Sequence, residues 1–258
     1  LYGGLLGGKT MFLCDPSTGW ISSMVEPILA DLSEASRLKP DFEGAWAMRY
    51  RRQLEVFREG AAGRFGVSHF ILISGLNFLF ELVGATKTYE ELLDRPELAR
   101  EAIEIGEHLN LRVQEMFFEA IPLVAGGTCS FSAAWAPGRI VAESIDPFHM
   151  TSTAYFEEWG RASLERIFSE FDGGVLHIHG NGRHLLEAVS SLRGLKAVLL
   201  GDDLGFPPAF DILPNLRKHA GDMPLIVSAP YDKFADALRR RALPGGVFYQ
   251  VNGAPELD

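Results

Sequence analysis

His177 and His179 stand two residues apart in Gly174-Val175-Leu176-His177-Ile178-His179-Gly180-Asn181-Gly182-Arg183, a short apolar run that ends in a glycine turn. Residues two apart on a strand share a face, so both imidazoles point to one side while Leu176 and Ile178 point to the other. Parallel-barrel enzymes aim polar groups into the lumen in this way. His179 falls at the carboxyl end of the strand, where such folds keep their chemistry, and Gly-Asn-Gly lets the backbone turn sharply into a helix starting near Arg183. A buried histidine pair is also a common hydrogen-bonded core feature, so the pair becomes a site only with further groups beside it.

The elements that would position the pair alternate. Val175 to His179 is followed by a helix from about Arg183 to Ser191, and Lys196 to Gly201 by one from about Pro208 to Ala220. Leu225 to Ala229 then precedes a helix over Asp232 to Arg241, and Gly246 to Val251 is a last strand. Short connections between such units mark a parallel sheet, and continuous apolar strands mark one covered on both faces. The first half is more helical. Asp41 to Ala62 reads as one helix; the clearest runs from Asp94 or Pro96 to about Ala120, with Ala99, Ala102, Gly106, Leu109, Val113, Met116 and Ala120 on one stripe. Asp94 can cap it and Pro96 fits its first turn. Thr151 or Ser152 opens another, with Phe156, Trp159, Ser163, Ile167 and Phe171 along its inner side. Phe65 to Ile73 and Gly127 to Ser132 are strand candidates, and neither a repeat nor an interdomain linker is visible.

Composition bounds the function. A chain of 258 residues, 47% hydrophobic and 22% charged, can build a substantial core, and one domain is the default. A formal charge of −10 without a lysine or arginine stripe argues against a duplex nucleic-acid footprint. Arg49-Tyr50-Arg51-Arg52 and Arg239-Arg240-Arg241 read as solvated helix faces. Cys14 and Cys129 are the only cysteines, too few for a disulfide framework or a four-cysteine zinc site, and they fit a reducing cytoplasm. The apolar stretch Phe70 to Ala85 is interrupted by Ser74, Asn77 and Glu81 and is too short to span a bilayer. Gly3-Gly4-Leu5-Leu6-Gly7-Gly8-Lys9-Thr10 satisfies the phosphate-loop pattern, but Met11 to Cys14 followed by Asp15-Pro16-Ser17-Thr18-Gly19 reads as strand and turn, whereas a phosphate loop must open a helix. No Gly-x-Ser-x-Gly elbow supports a hydrolase triad.

The segment Ile73-Ser74-Gly75-Leu76-Asn77-Phe78-Leu79-Phe80-Glu81-Leu82-Val83-Gly84, then Leu92-Leu93-Asp94-Arg95-Pro96-Glu97-Leu98, resembles the uroporphyrinogen decarboxylase-like superfamily. So does Thr153-Ala154-Tyr155-Phe156-Glu157-Glu158-Trp159 leading to the strand with His177 and His179. The resemblance runs from about Gly63 to Asp258 and implies a (β/α)8 TIM barrel, here one domain over 1–258 in an incomplete chain whose first strands lie upstream of Leu1. The superfamily includes uroporphyrinogen decarboxylases and zinc-dependent methyltransferases that serve corrinoid proteins and thiols, and fold alone does not choose between them.

The methyltransferase branch carries a His-x-Cys pair at the end of a barrel strand, and His177-Ile178-His179 lies in the matching place. Imidazole can replace thiolate on zinc, although the branch's further cysteine has no match in Phe248-Tyr249-Gln250-Val251-Asn252-Gly253. A zinc held by His177 and His179 therefore needs an acid such as Asp146, Asp202 or Asp203, or Cys129 from another strand. Acids of this kind more commonly cap helices or face solvent, and a lone cysteine is more commonly a small buried hydrophobe. The resemblance thus implies metal-assisted methyl transfer, with zinc and a corrinoid methyl-group partner as cofactors. His177, His179 and Asp146 are the catalytic candidates; Arg183, as an anion anchor, with Asp202, Asp203 and Asn252, are the substrate-binding ones. The alternatives are decarboxylation of a porphyrinogen-like polycarboxylate, and a barrel that binds a corrinoid, tetrapyrrole or partner protein without turnover. For the decarboxylase, Trp46-Ala47-Met48-Arg49 matches a scrap of the family's arginine motif, but Tyr50-Arg51-Arg52-Gln53 departs from its continuation. In either enzyme reading, His177, Asp202 and residues around Ser228 and Asn252 should meet near one mouth of the barrel, with a small-molecule substrate and no nucleic acid or membrane as partner.

Overall fold

The computed structural model describes residues 2–17, 19–73, 75–132 and 134–255, so Thr18 of the expected turn after Cys14 and Ser74 of the apolar stretch lie outside the described residues. The chain divides into two compact units, Leu1–Val67 with Ile73–Val124, and Ser68–Leu72 with Ala125–Asp258.

The first unit is mainly helical. After α1 (Tyr2–Leu5), the strands β1 (Thr10–Asp15) and β2 (Trp20–Val25) form an antiparallel hairpin. The residues after Lys9 are therefore strand, and Lys9 Nζ is bonded to Glu26 at 2.6 Å, so the glycine loop has no phosphate-loop context. Helix α2 spans Ala45–Ala61 and starts later than the apolar pattern suggests, because Asp41 accepts from the Glu43 N–H at 3.1 Å and holds the preceding turn. Helices α3 (Gly75–Val83), α4 (Ala85–Asp94) and α5 (Pro96–Ala120) complete the unit. The stripe Ala99, Ala102, Gly106, Leu109, Val113 and Met116 of α5 is buried. Gly106 lets α3 come close: a Cβ there would stand 2.8 Å from the Phe78 ring. Pro96 opens α5 as its sequence position predicts, but Asp94 ends α4 and the cap position is Arg95.

The second unit is built on a six-stranded sheet. Strand β3 (Leu72–Ile73) lies at one edge; β4 (Gly127–Cys129) and β5 (Trp135–Pro137) pair with each other outside it. Then come β6 (Val141–Ser144), α6 (Thr153–Trp159), α7 (Arg161–Glu170), β7 (Gly174–Ile178), α8 (Leu186–Ser190), β8 (Leu195–Leu200), α9 (Leu213–Ala220), β9 (Leu225–Pro230), α10 (Tyr231–Arg239) and β10 (Val247–Asn252). The sheet order is β10-β9-β8-β7-β6-β3, and β6 through β10 pair in parallel. Val175, Leu176, Ile178, Val198, Leu200, Leu225, Ile226 and Val227 are buried, as strands covered on both faces should be.

Four expectations change in detail. The fold is α/β with a central parallel sheet, but among the described residues six strands form an open order and no closed (β/α)8 barrel is present; β10 and β3 remain as edges, where closure would need further strands to pair with them. The helix expected from Ser152 to Phe171 breaks at Gly160 into α6 and α7, because Phe148 and Phe156 pack so closely that a Cβ there would stand 2.9 Å from both rings. Of the run Phe65 to Ile73, only Leu72–Ile73 forms a strand, with one bridge from Ser68 to Cys129. Gly127 to Ser132 stops pairing after Cys129, where Ser130 Oγ accepts from the Ser132 N–H at 3.1 Å and turns the chain.

Candidate functional site

The parallel sheet places the carboxyl ends of β6, β7 and β8 side by side. Ser144 pairs with His177, and His177 with Leu199, so the segments leaving Ser144, Ile178 and Leu200 gather at one end of the sheet. From β6 the chain enters a 3-10 turn, Asp146–Met150, carrying Asp146 and His149 on one side. After β7, His179 precedes a second 3-10 turn, Gly180–Leu185; after β8 come Asp202 and Asp203.

Asp146, His177 and His179 each offer one ligand atom, and those atoms lie within 4.8 Å of one another. The two strand-end rings have centroids 4.4 Å apart. His179 Nδ1 lies 2.8 Å from Asp203 Oδ1, and its Nε2 lies 3.7 Å from Asp146 Oδ1. An ionised carboxylate only accepts, so Asp203 fixes the proton on Nδ1 and leaves the Nε2 lone pair turned toward Asp146. Asp203 itself takes the Gly180 N–H. Burial works against its ionisation, but that N–H, the His179 hydrogen bond and the neighbouring imidazoles outweigh it and hold its pKa below the ordinary value.

Asp146 is oriented from the other side by the Ser144 hydroxyl, which donates to Oδ1 and stands 3.4 Å from His177 Nδ1. Burial, with a smaller contribution from His179, pushes the pKa of His177 down to about 4. Near neutral pH His177 is thus an uncharged imidazole with a free lone pair, the form that binds metals. Phe131 meets it edge-on, with ring centroids 6.1 Å apart. Gly201 keeps the opposite side clear: a Cβ there would stand 2.8 Å from His177 Nε2.

The donor set fits a divalent cation such as zinc. Two neutral imidazoles and one carboxylate are three protein ligands with room for a fourth group, the pattern of open rather than structural zinc sites. The Asp203–His179 contact is the carboxylate–histidine pairing that orients such ligands. Cys129 is not in the group; it lies in β4, paired with Trp135, and its carbonyl takes the His69 N–H at 2.7 Å.

No protein-family model matches the chain, and no curated protein matches it. Among solved structures, the fold is similar to that of a methyltransferase from Methanosarcina mazei, with a TM-score of 0.65 over 97% of this chain and 70% of that one, at 15% sequence identity. At that identity the likeness shows the fold, an α/β architecture on a parallel sheet, and leaves the chemistry to the site.

Arg183 and Asp202 have other partners. The Arg183 guanidinium donates to the carbonyls of Pro207 and Gly201 and, at 3.0 Å, to Asp202 Oδ1, and Asp202 also takes the Ala209 N–H at 2.7 Å. Together they clamp the loops after β7 and β8, so the expected anion anchor is engaged by two backbone carbonyls and the Asp202 carboxylate. Asn252 and Ser228 bond to each other at the carboxyl ends of β10 and β9, the same end of the sheet as the histidines.

Sequence reasoning missed His149 and Ser144. His149 is almost fully buried; its ring centroid lies 5.4 Å from that of His179 and its Nδ1 lies 3.9 Å from Asp146 Oδ1. Burial pushes its pKa down to about 4, against the pull of Asp146. The Asp-x-x-His spacing at 146 and 149 was the available signal, since residues three apart meet on a helical turn. Asp146, His149, His179 and Asp203 line an open depression of about 340 Å³, together with Met150, Asn181 and Phe206.

Proposed function

We propose that the chain is a metal-assisted transferase that moves a methyl group from a corrinoid or small-molecule donor to a small nucleophile such as a thiol, on a uroporphyrinogen decarboxylase-like α/β fold. The observation that carries the reading is the convergence of Asp146, His177 and His179, with His179 turned by Asp203. Methyl transfer as the reaction draws its support from the order of motifs and from the likeness in fold to a methyltransferase.

In this reading Asp146, His177 and His179 hold zinc. When bound, the ion supplies a positive charge that favours the deprotonated form of the nucleophile. One carboxylate and two neutral imidazoles carry a net charge of about −1, so the site keeps net positive charge for an anionic sulfur, unlike a thiolate-rich set. Asp203 keeps the His179 proton on Nδ1, and the Ser144 hydroxyl holds Asp146. Phe131 shields His177, while Met150 and Phe206 add apolar surface to the depression. The thiol proton leaves to solvent; the sulfur lone pair forms the new S–C bond, and the electron pair of the donor–carbon bond stays with the donor.

The decarboxylase alternative needs free cations for several carboxylates, and Arg183 is committed to protein acceptors. Metal content and turnover test the proposal together. The purified chain should hold about one zinc per molecule, and His177→Ala, His179→Ala or Asp146→Ala should remove it, while Asp203→Asn should weaken binding roughly 10–100-fold. Zinc-loaded protein should convert methylcobalamin and a thiol to cob(I)alamin and thioether, followed by cobalamin absorbance. Metal-independent turnover in a folded double-histidine variant would overturn it.

A further inference from the structure

The hairpin of the helical unit presents an apolar strand edge. Among the described residues β1 pairs with β2 and with no third strand, in a register that sets Thr10 opposite Val25 and Asp15 opposite Trp20. Lys9 extends that register, because its carbonyl takes the Glu26 N–H at 3.1 Å. Bonded and non-bonded pairs alternate in an antiparallel ladder, so Lys9, Met11, Leu13 and Asp15 turn their backbone groups toward β2. The N–H and C=O groups of Thr10, Phe12 and Cys14 therefore point outward. Met11, Phe12, Leu13 and Cys14 are all exposed, Phe12 at 73%. The edge of β2 differs, since Val25 packs against α1, where a Cβ on Gly3 would meet its side chain.

Edge strands of soluble proteins are ordinarily blunted by a charge, a proline or a bulge. Thr10–Cys14 has none of these. Its edge complements itself. Two antiparallel copies of β1, related by a two-fold axis through Phe12, set Thr10 opposite Cys14 of the second copy and Phe12 opposite its own counterpart, so all three outward residues exchange backbone bonds. Lys9 then falls opposite Asp15 of the second copy and Met11 opposite Leu13, each twice by symmetry. Opposite charges directly across a ladder attract, and these non-bonded positions bring side chains closest. One face gains an apolar row of Met24, Met11 and Leu13 of the second copy, and on the other face the two Phe12 rings meet at the axis. Sliding by two residues keeps outward groups facing each other but sets Lys9 opposite Leu13, or Asp15 opposite Met11, and loses both charge pairs.

We propose that β1 is a homodimerisation strand: a second copy of the chain adds edge to edge and forms a four-stranded antiparallel sheet in the order β2-β1-β1-β2, with Lys9 and Asp15 fixing the register. Lys9 Nζ reaches Glu26 at 2.6 Å and Asp15 Oδ1 accepts from the Ser17 N–H and hydroxyl. An ammonium has three donors and a carboxylate about four acceptor sites, so each keeps its bond within the hairpin while pairing across the dimer. The segment 9–15 balances one lysine against one aspartate, so this edge escapes the mutual repulsion that a net charge of −10 imposes on the molecule.

The test is sedimentation of the full chain from low to high micromolar concentration, over which the wild type should pass from monomer to dimer. Phe12→Pro removes an outward N–H and a solvent-facing ring but no bond to β2, so the hairpin survives and the dimer should weaken at least tenfold. Lys9→Glu creates two acid–acid contacts in its own dimer and Asp15→Lys two lysine–lysine contacts, so each alone should weaken association roughly tenfold. An equimolar mixture of these two variants restores opposite charges at both contacts, and association should return to wild-type strength, a rescue that damaged folding would not give. Cross-linking locates the edge. Phe12→Cys with Cys14→Ser should form an intermolecular disulfide with diamide, because the separation of about 5.5 Å between Cα atoms of a bonded pair suits one. Ile21→Cys with Cys14→Ser, on the outer edge of β2, should not. A wild type that stays monomeric at every concentration overturns the proposal and leaves the edge to a different occupant. A dimer unaffected by Phe12→Pro, or one cross-linked through Ile21→Cys as readily as through Phe12→Cys, overturns it as well.

Discussion

At His177 and His149, burial decides the charge. Both imidazoles are held near pKa 4, against 6.5 for the free side chain, because water is excluded from their charged forms. The sign follows directly. Between about pH 6.5 and about pH 4 the unfolded chain binds protons at both positions and the folded chain does not, so folding stability drops as pH falls through that window. Above it both states are neutral there and the effect vanishes. The unfolding midpoint of metal-free protein, followed from pH 7 to pH 4, should therefore fall more steeply in the wild type than in His149→Gln, whose amide does not titrate. Parallel slopes would mean that His149 is solvated in the folded protein.

At the scale of elements, the site depends on glycines that let segments approach. Gly201→Ala places a methyl 2.8 Å from His177 Nε2, so it should lower zinc affinity at least tenfold with only modest loss of stability. Gly60, on α2, has open space within 4 Å of where a methyl would stand and an ordinary helical backbone, so Gly60→Ala should instead stabilise by about 0.5–1 kcal/mol. Equal zinc affinity in wild type and Gly201→Ala would show that His177 has room to move. The same scale explains what the sequence made legible. The strands β7 to β10 and the stripe of α5 were readable because continuous apolar runs and a three-four spacing are local signals. The break at Gly160 and the turn after Cys129 were not, since the first depends on how the Phe148 and Phe156 rings pack against Gly160 and the second on a side-chain bond to the backbone. In the site, the shared face of His177 and His179 was visible from period two alone. His149 was hidden because only the 3-10 turn after β6 brings it beside His179. Arg183 stood at the right end of the strand, but its three acceptors belong to a loop whose path no local pattern encodes.

For the whole molecule, the division into two compact units gives ligand binding a regional signature. Every residue of the proposed zinc set belongs to the unit that contains Ala125–Asp258. An ion that binds only the folded state stabilises what must unfold to release it, by about 2.7 kcal/mol at a free concentration one hundred times the dissociation constant. Whether that energy is felt in one unit or throughout depends on how cooperatively the chain opens. With two units of separate core, zinc should slow hydrogen exchange of β7, β8 and β9 amides and leave α5 unchanged, and chelation should reverse the effect. Asp146→Ala should show neither slowing nor reversal. Slowing of α5 to the same degree would mean that the units open as one, and unchanged exchange in β7 with zinc in excess would remove the basis for placing the ion at its carboxyl end.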